Sequence, residues 1–260
     1  MAFITWNPEE IFRIGKTLKN KAKRYYTVDN SIYENRKSAG NVIDKEAGIL
    51  NRGNLTRLKN FLNRAAQGER LTVGFIGGSI TQGFAATAPD KCYAARTVAW
   101  LRKVFPNTEF DYVNAGIGAT DSQFGAARVQ EDLLQRLPDL VMVEFSVNDH
   151  CTPHDMETYE GLIRQIYGSR SCPAMVLLHS VYYDTGKSAA YYHAQIGRHY
   201  DLPCISMQNS IYPAVAEGKL PAEKITADFL HPNDLGHEFM VAVITNFLEK
   251  VIHDKTEEQQ

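Results

Sequence analysis

The chain has 260 residues, 44% of them hydrophobic and 22% charged, a composition typical of a globular protein that buries its core without disulfide or metal crosslinks. Its 28 basic and 30 acidic residues give a net charge of −2, so the charge balance gives no support for a nucleic-acid or membrane partner. The first residues lack the apolar stretch of a signal peptide, and no run of about 18 apolar residues occurs. We therefore expect no membrane span and a cytoplasmic location.

The cysteine pattern agrees with that expectation. The four cysteines are widely scattered and form no C-x-x-C pair: Cys92, Cys151, Cys172 and Cys204. Scattered cysteines without an export signal are typical of reduced thiols in the cytoplasm. A chain whose export signal had been removed would show the same pattern.

Residues 1–70 lack the regular alternation of apolar segments seen in the rest of the chain. They contain a basic stretch, Lys16–Arg24, which is typical of a solvated face. They also contain Leu55–Ala66, an amphipathic segment that predicts a helix. We interpret residues 1–70 as an N-terminal extension that packs on the domain or takes part in forming a homo-oligomer. Residues 71–254 are the predicted domain.

From residue 71 onward, short apolar segments alternate with longer amphipathic ones. The short segments predict five strands: Leu71–Ile76, Phe110–Val113, Leu140–Phe145, Ala174–Leu178 and Cys204–Met207. The longer segments predict helices: Tyr93–Phe105, Phe124–Leu137, Met156–Tyr167, Ser188–Tyr200 and a last helix beginning near Asn233, a favourable N-cap. Strands that alternate with helices indicate an α/β fold with a parallel sheet. In such sheets ligands bind beyond the carboxyl ends of the strands, so functional residues are expected there.

The first candidate is Ser79, which follows the first predicted strand in the segment FIGGSIT. The two glycines before it allow the chain to turn sharply at the edge of the sheet. Such a turn would expose the serine hydroxyl where ligands bind. A serine in this place can act as a nucleophile, although an ordinary turn serine has the same local sequence.

The second candidate is a pair of residues near the end of the chain, in the segment DFLHPN. Asp228 precedes His231 by three residues, just ahead of the last helix, so both side chains can lie on one turn. The carboxylate could then accept the imidazole Nδ1–H and leave Nε2 facing a serine, as in a catalytic triad. The alternative is a surface aspartate and a histidine that caps the helix.

Two further segments at strand ends could supply hydrogen-bond donors. The loop after the second strand is rich in small residues, and Gly118 within it can turn a backbone N–H toward a ligand. Asn148, after the third strand, offers a side-chain amide at the same edge. Together with the Ser79 N–H, these donors would form an oxyanion hole. Each of them alone is also typical of a turn.

These four segments, in this order, resemble the sequence blocks of the SGNH hydrolases, a branch of the GDSL esterases named for Ser, Gly, Asn and His. GGSIT resembles the first block, NAGIGAT the second, SVND the third and DFLHP the block that contains the histidine. The resemblance covers about residues 71–251. It implies a flavodoxin-like, three-layer α/β/α fold around a five-stranded parallel sheet, with Ser79 as nucleophile, His231 as general base and Asp228 as its partner.

The chain departs from the family pattern in two places. Gly78 stands where the GDSL motif has aspartate, a variant that leaves the nucleophile in place. In the second block many relatives have two glycines, whereas this chain has Gly118 followed by Ala119. We predict Gly118 as the backbone oxyanion donor, with Ala119 as the alternative, because either residue can present a backbone N–H.

Other residues are weaker candidates. His150 and His154 have a spacing compatible with metal ligands, but their place directly after a strand favours a loop, and we predict no metal. His237 is expected on one face of the last helix. Tyr182 and Tyr183 follow the fourth strand and could belong to the core, or could form a wall on which a sugar ring packs.

The resemblance implies a serine esterase that transfers an acyl group to water and requires no cofactor. GGSIT-type members look most like carbohydrate O-acetyl esterases, and no long apolar lid lies between the blocks. We therefore expect small acyl esters of a small molecule or an oligosaccharide as substrates. The alternatives are a short-chain lipid esterase or thioesterase of the same superfamily, and an inactive carbohydrate-binding protein that retains the fold.

Overall fold

The computed structural model describes residues 42–254, and what the sequence predicts for residues 1–41 lies outside them. The strands of its sheet are β1 Ile49–Asn51, β2 Leu71–Gly77, β3 Phe110–Gly116, β4 Leu140–Glu144, β5 Ala174–His179 and β6 Cys204–Ser206. Their order across the sheet is β1-β6-β5-β4-β2-β3. Strands β2 to β6 are parallel, and β1 pairs with β6 in the antiparallel sense.

Helices connect the strands in the alternation that the sequence predicts. They are α1 Thr56–Ala66, α2 Ser79–Gln82, α3 Tyr93–Val104, α4 Ser122–Asp132, α5 Pro153–Tyr167, α6 Ala190–His199, α7 Met207–Ser210, α8 Tyr212–Ala216 and α9 Asp234–His253. Helix α9 contacts α1 and α3, whereas α5 contacts α4 and α6. Two separate helix groups are expected when crossover connections cover both faces of a parallel sheet. The predicted α/β fold is therefore confirmed.

The predicted number of five strands is wrong by one. The additional strand, β1, lies at the edge of the sheet, where Ile49 pairs with Ile205 and Asn51 with Cys204. It has only three residues, none of them fully buried or fully exposed. So short a segment has neither the alternation nor the apolar run by which a strand is identified in a sequence.

Several other elements also differ from the prediction at their ends, as two of them show. Strand β3 continues to Gly116, because its backbone pairs with β2 as far as Gly77, although the small residues at its end read as a turn. Helix α4 ends at Asp132, where the prediction continued one helix to Leu137. A separate 3₁₀ turn, Leu134–Arg136, covers the difference.

The central strands are buried, as expected for a parallel sheet covered by helices. All five residues of β4 and all six of β5 are buried. Unpaired polar groups are costly in such surroundings, so polar side chains concentrate at the strand ends and beyond them. The edge strand β3 is, by contrast, partly exposed.

Helix α9 begins where the sequence predicts. Asn233 is its N-cap, and its side-chain oxygen accepts the backbone N–H groups of Leu235 at 3.0 Å and Gly236 at 3.1 Å. These bonds satisfy donors that would otherwise be free in the first turn of the helix. The cap therefore fixes the conformation of the backbone that follows His231.

Residues 42–70 belong to the same compact unit as the rest of the described chain. They supply β1 to the sheet and α1 to the helices that contact α9. The interpretation of residues 1–70 as an extension stays a prediction, since most of that segment lies outside the described residues.

All four cysteines of the chain lie within the described residues, and none of them forms a disulfide. Cys92 and Cys204 are buried, and Cys172 is exposed. Between residues 42 and 254, no helix combines the length and the apolar character needed to cross a membrane.

Candidate active site

Ser79 lies at the carboxyl end of β2, where the chain turns into the short helix α2. It is the first residue of that helix and is 9% exposed. Its Oγ lies 2.8 Å from Nε2 of His231, so the hydroxyl can donate to an imidazole whose Nε2 is unprotonated. The structure thus brings together two predicted residues that are 152 positions apart in the chain.

Asp228 holds the His231 ring. Nδ1 of His231 lies 2.6 Å from Oδ2 of Asp228, a distance typical of a charge-assisted hydrogen bond. Oδ1 of Asp228 also accepts the backbone N–H groups of His231 at 2.8 Å and Leu230 at 3.1 Å. The Thr226 hydroxyl donates to the same oxygen at 3.0 Å. Asp228 and His231 therefore lie on one turn, as their spacing indicates.

These hydrogen bonds determine the charge of Asp228. Partial burial raises the pKa of its carboxyl group, but the donors on His231, Leu230 and Thr226 lower it more, and the pKa lies well below its usual range. An ionised carboxylate can only accept hydrogen bonds. Nδ1 of His231 therefore carries the proton, which leaves Nε2 as the acceptor that faces Ser79.

Asn148 lies beside the residue that precedes Ser79. A Cβ atom on Gly78 would lie 2.4 Å from Oδ1 of Asn148 and 3.1 Å from its Nδ2. Here a side chain at position 78 would collide with the amide, which is a physical reason for glycine at the position where the GDSL motif has aspartate. The Asn148 amide therefore packs against the backbone that leads into the serine.

The loop after β3 also approaches Ser79, but the N–H of Gly118 is already engaged. A Cβ atom on Gly118 would lie 3.7 Å from Cβ of Ser79. The Gly118 N–H donates to Oε1 of Gln82 at 2.9 Å, so it would have to leave this acceptor to serve the oxyanion as predicted. Ala119 has a left-handed backbone with φ of 57°, and its N–H has no partner within residues 42–254. Of the two alternatives, only Ala119 has an N–H without a partner among the described residues.

The two tyrosines after β5 have different surroundings. Tyr183 is only 5% exposed, and its N–H donates to the carbonyl oxygen of Phe229 at 2.7 Å. A buried ring offers no face to a ligand, so Tyr183 belongs to the core and is not a wall for a sugar. Tyr182 is half-buried, and its hydroxyl donates to the carbonyl oxygen of Val147 at 3.3 Å.

The exposed aromatic residue Phe84 contacts His231 and was not predicted from the sequence. Phe84 is 56% exposed, and its ring meets the His231 ring at 62° with 4.6 Å between centroids. Ile117, Phe229 and Leu235 are further exposed apolar residues, and they are close in sequence to predicted site residues. These residues lie on loops or at a helix start, where no periodic pattern marks them. Their closeness in sequence to the predicted site residues is the only available signal.

The two histidines after β4 do not gather with other metal ligands. His150 is exposed, and Nε2 of His154 lies 3.1 Å from Oε1 of Gln123. The described part of the chain contains no group of three or more His, Cys, Asp or Glu side chains that could hold a metal ion.

His237, a second histidine that follows the candidate site in the chain, has a structural environment. It is fully buried on α9, and its Nδ1 accepts the backbone N–H of Tyr93 at 3.2 Å. Its ring stacks on that of Tyr93, with 6.2 Å between centroids. Burial lowers the pKa of His237 to about 4, so this histidine is neutral at pH 7.

The sequence and the fold match known proteins. Residues 75–239 match the GDSL-like lipase/acylhydrolase family. The structure is similar to a two-domain esterase active on acetylated mannans, with a TM-score of 0.82 and 51% identity over 84% of this chain and 59% of that one. The same kind of esterase crystallised with mannopentaose has a TM-score of 0.81 and 52% identity, over 82% and 58% of the two chains.

A more distant neighbour is a catalytic mutant of an acetylxylan esterase from Geobacillus stearothermophilus. It is 19% identical, with a TM-score of 0.57 over 68% of this chain and 94% of that one, and this likeness concerns the fold alone. A comparison with curated protein sequences found no match. The chain spans less than two thirds of the mannan esterase that it resembles.

The buried His237 leads to a prediction about stability and pH. Because its pKa of about 4 lies below the ordinary value of 6.5, the unfolded state binds a proton that the folded state does not bind in this interval. The free energy of unfolding should therefore fall by about 3 kcal/mol as the pH is lowered from 7 to 4. His237→Asn keeps an acceptor for the Tyr93 N–H. In urea unfolding at several pH values, the free energy of unfolding of this variant should lack this part of the pH dependence. Equal slopes in both proteins would contradict the assignment.

Proposed function

Because this chain belongs to the GDSL-like lipase/acylhydrolase family, we propose that it is a serine esterase that hydrolyses O-acetyl esters of carbohydrates. The single observation that carries the proposal is the hydrogen-bonded series Ser79–His231–Asp228, with distances of 2.8 and 2.6 Å. Such a series activates a serine toward an ester carbonyl. No cofactor is needed for this chemistry.

The proposed substrate class is supported by a relative. The two-domain protein that is 51% identical to this chain is an esterase active on acetylated mannans, and this chain spans 59% of it. The family match over residues 75–239 includes the whole series of candidate catalytic residues. The cytoplasmic location and the homo-oligomer expected from the sequence stay predictions.

In the proposed mechanism, His231 is the general base. Its Nε2 takes the proton as Ser79 Oγ attacks the carbonyl carbon, and a tetrahedral intermediate forms. Asp228, with its pKa held low by its hydrogen bonds, stabilises the imidazolium without taking the proton itself. His231 then gives the proton to the leaving sugar oxygen. An acetyl-enzyme remains, and water attacks it by the same sequence of transfers.

Three donors would hold the negative oxygen of the tetrahedral intermediate: the Ser79 N–H, the Ala119 N–H and the Asn148 amide. The Ser79 N–H lies in the first turn of α2, where backbone donors have no partner within the helix. The packing of Gly78 against Asn148 keeps the amide next to that turn. Preorganised donors of this kind act mainly when charge develops on the oxygen, so they lower the barrier more than they strengthen substrate binding.

The exposed ring of Phe84 suits a sugar as the leaving group. One face of a pyranose ring presents mostly C–H groups, which pack favourably on aromatic rings. Phe84 contacts His231, the residue that would protonate the sugar oxygen, and it leaves 56% of its surface free. A ring stacked there would lie next to the bond that breaks.

Loss of the nucleophile or the base should abolish activity. Ser79→Ala and His231→Ala should each lower kcat/KM for p-nitrophenyl acetate by several orders of magnitude, because the two residues act as one unit. Asp228→Ala should be less severe, since Asp228 only orients and stabilises the imidazole. A serine-directed phosphonate should label the wild type and not Ser79→Ala, with circular dichroism as the control for folding. Wild-type turnover in Ser79→Ala would refute the assignment, and an unlabelled, inactive wild type would favour a carbohydrate-binding role.

Removal of the Asn148 amide should affect the rate more than binding. We expect Asn148→Ala to lower kcat by roughly 10²-fold to 10³-fold with little change in KM. Gly78→Ala should have a similar effect, since its methyl group would push the amide away from its place. Unchanged kcat together with a large drop in Tm would instead assign Asn148 a structural role only.

The substrate preference can be tested separately for the acyl group and for the alcohol of the ester. Activity should fall steeply from p-nitrophenyl acetate to octanoate, because a small acyl pocket excludes longer chains. Phe84→Ala should raise KM for acetylated mannooligosaccharides by roughly 2-fold to 10-fold, the equivalent of about 0.5–1.5 kcal/mol of aromatic packing. It should change activity on p-nitrophenyl acetate much less. Leu137→Ala, which also removes an exposed apolar side chain, is the matched control. A preference for octanoate without acetate release from any glycan would indicate a lipid esterase or a thioesterase.

A further inference from the structure

A buried hydrogen-bonded pair, Asp149 and His193, adjoins Asn148 in the loop after β4. Asp149, the next residue, has its Oδ2 2.9 Å from Nε2 of His193, and its Oδ1 accepts the backbone N–H of Ser122 at 2.9 Å. The side chains of Asp149 and His193 are 0% and 2% exposed. A buried carboxylate is costly unless its oxygens are hydrogen-bonded, so the two donors are what make this position tolerable.

His193 is itself held in one orientation. Its ring lies flat on that of Tyr159, with 3.5 Å between centroids and 2° between planes. The imidazole nitrogen that faces the carboxylate is the proton donor of the pair. The pair therefore joins the loop after β4 to three helices: to α4 through Ser122, to α5 through Tyr159 and to α6 through His193.

The other end of the same loop is anchored as well. Glu144, the last residue of β4, accepts the Ser146 hydroxyl at 2.8 Å, and Oγ of Ser146 accepts the Ser180 N–H at 2.7 Å. Asn148 lies between these two anchors. The anchor at Asp149 is adjacent to it in the chain, so a displacement of Asp149 would be transmitted to the Asn148 amide.

We propose that His193 is a positioning residue that acts through Asp149 to hold the Asn148 amide beside the backbone of Ser79. This inference rests on the proposed function, in which that amide donates to the oxyanion. Stability alone does not require such a pair, because well-packed apolar residues often replace a buried ion pair without loss. The catalytic rate is more sensitive to the position of the amide than stability is, since a displacement of about 1 Å in a positioned group can lower the rate roughly 100-fold.

Two substitutions of similar size separate hydrogen bonding from packing. His193→Gln keeps an N–H donor at a reach similar to that of Nε2, whereas His193→Met has a similar length and no donor. We expect His193→Met to lower kcat roughly 10-fold to 100-fold with little change in KM. His193→Gln should retain most of the wild-type kcat. A His193→Gln variant as slow as His193→Met would overturn the role of the hydrogen bond.

The decisive measurement is a double-mutant cycle with Asn148→Ala. If His193 acts through Asn148, His193→Met should have little further effect on kcat once Asn148 is alanine, so the two losses are not additive. The same fold-loss from His193→Met in both backgrounds overturns the proposal. If His193→Met does not fold, Asp149→Asn takes its place in the cycle.

A control separates positioning from a general loss of stability. Leu248→Ala removes a fully buried side chain from the C-terminal half of α9 and should lower Tm while kcat stays at the wild-type value. All rates are measured well below the lowest Tm of the set. A wild type that hydrolyses no ester overturns the proposed function and this role together, whereas an active wild type with an additive cycle overturns this role alone.

Discussion

The hydrogen bond between Ser79 and His231 depends on where the parallel sheet ends its central strands. It joins residues 152 positions apart, one at the end of β2 and the other just before α9. Strand β2 pairs with β3 on one side and β4 on the other, so the loops after all three strands converge around the serine. Because every parallel strand runs in the same direction, the polar residues that follow them meet at one edge.

The same arrangement fixes two carboxylates beside the site, and one of them, Asp149, lies in surroundings where unpaired polar atoms are costly. Asp228 is satisfied by donors from its own turn and from Thr226, and Asp149 by Ser122 and His193. In both cases a carboxylate is fixed next to a residue of the proposed mechanism. The hydrogen bonds that fix these carboxylates thus also limit the movement of the neighbouring group, which is the preorganisation that acyl transfer requires.

Local contacts explain why so much of the site could be predicted from the sequence. The three-residue spacing of Asp228 and His231 allows both side chains to lie on one turn of the backbone, whatever the rest of the fold. The glycines before Ser79 likewise permit a sharp turn without any contact to distant residues. The alternation of apolar segments likewise indicates an α/β fold, because burial on both faces of a parallel sheet selects apolar strands. The edge strand β1 escaped prediction because it is short and half-buried.

The remaining features depend on contacts between distant segments. The engagement of the Gly118 N–H by Gln82, the burial of Tyr183 and the packing of Phe84 on His231 have no counterpart in a local pattern. His193 reads as one more polar residue on a helix until the fold places it on Tyr159 and beside Asp149. The order of the elements and the residues that can react could be predicted from the chain alone. The free donors, the exposed rings and the buried groups that hold the site could not be predicted, because these properties depend on neighbours that the chain brings together only when it folds.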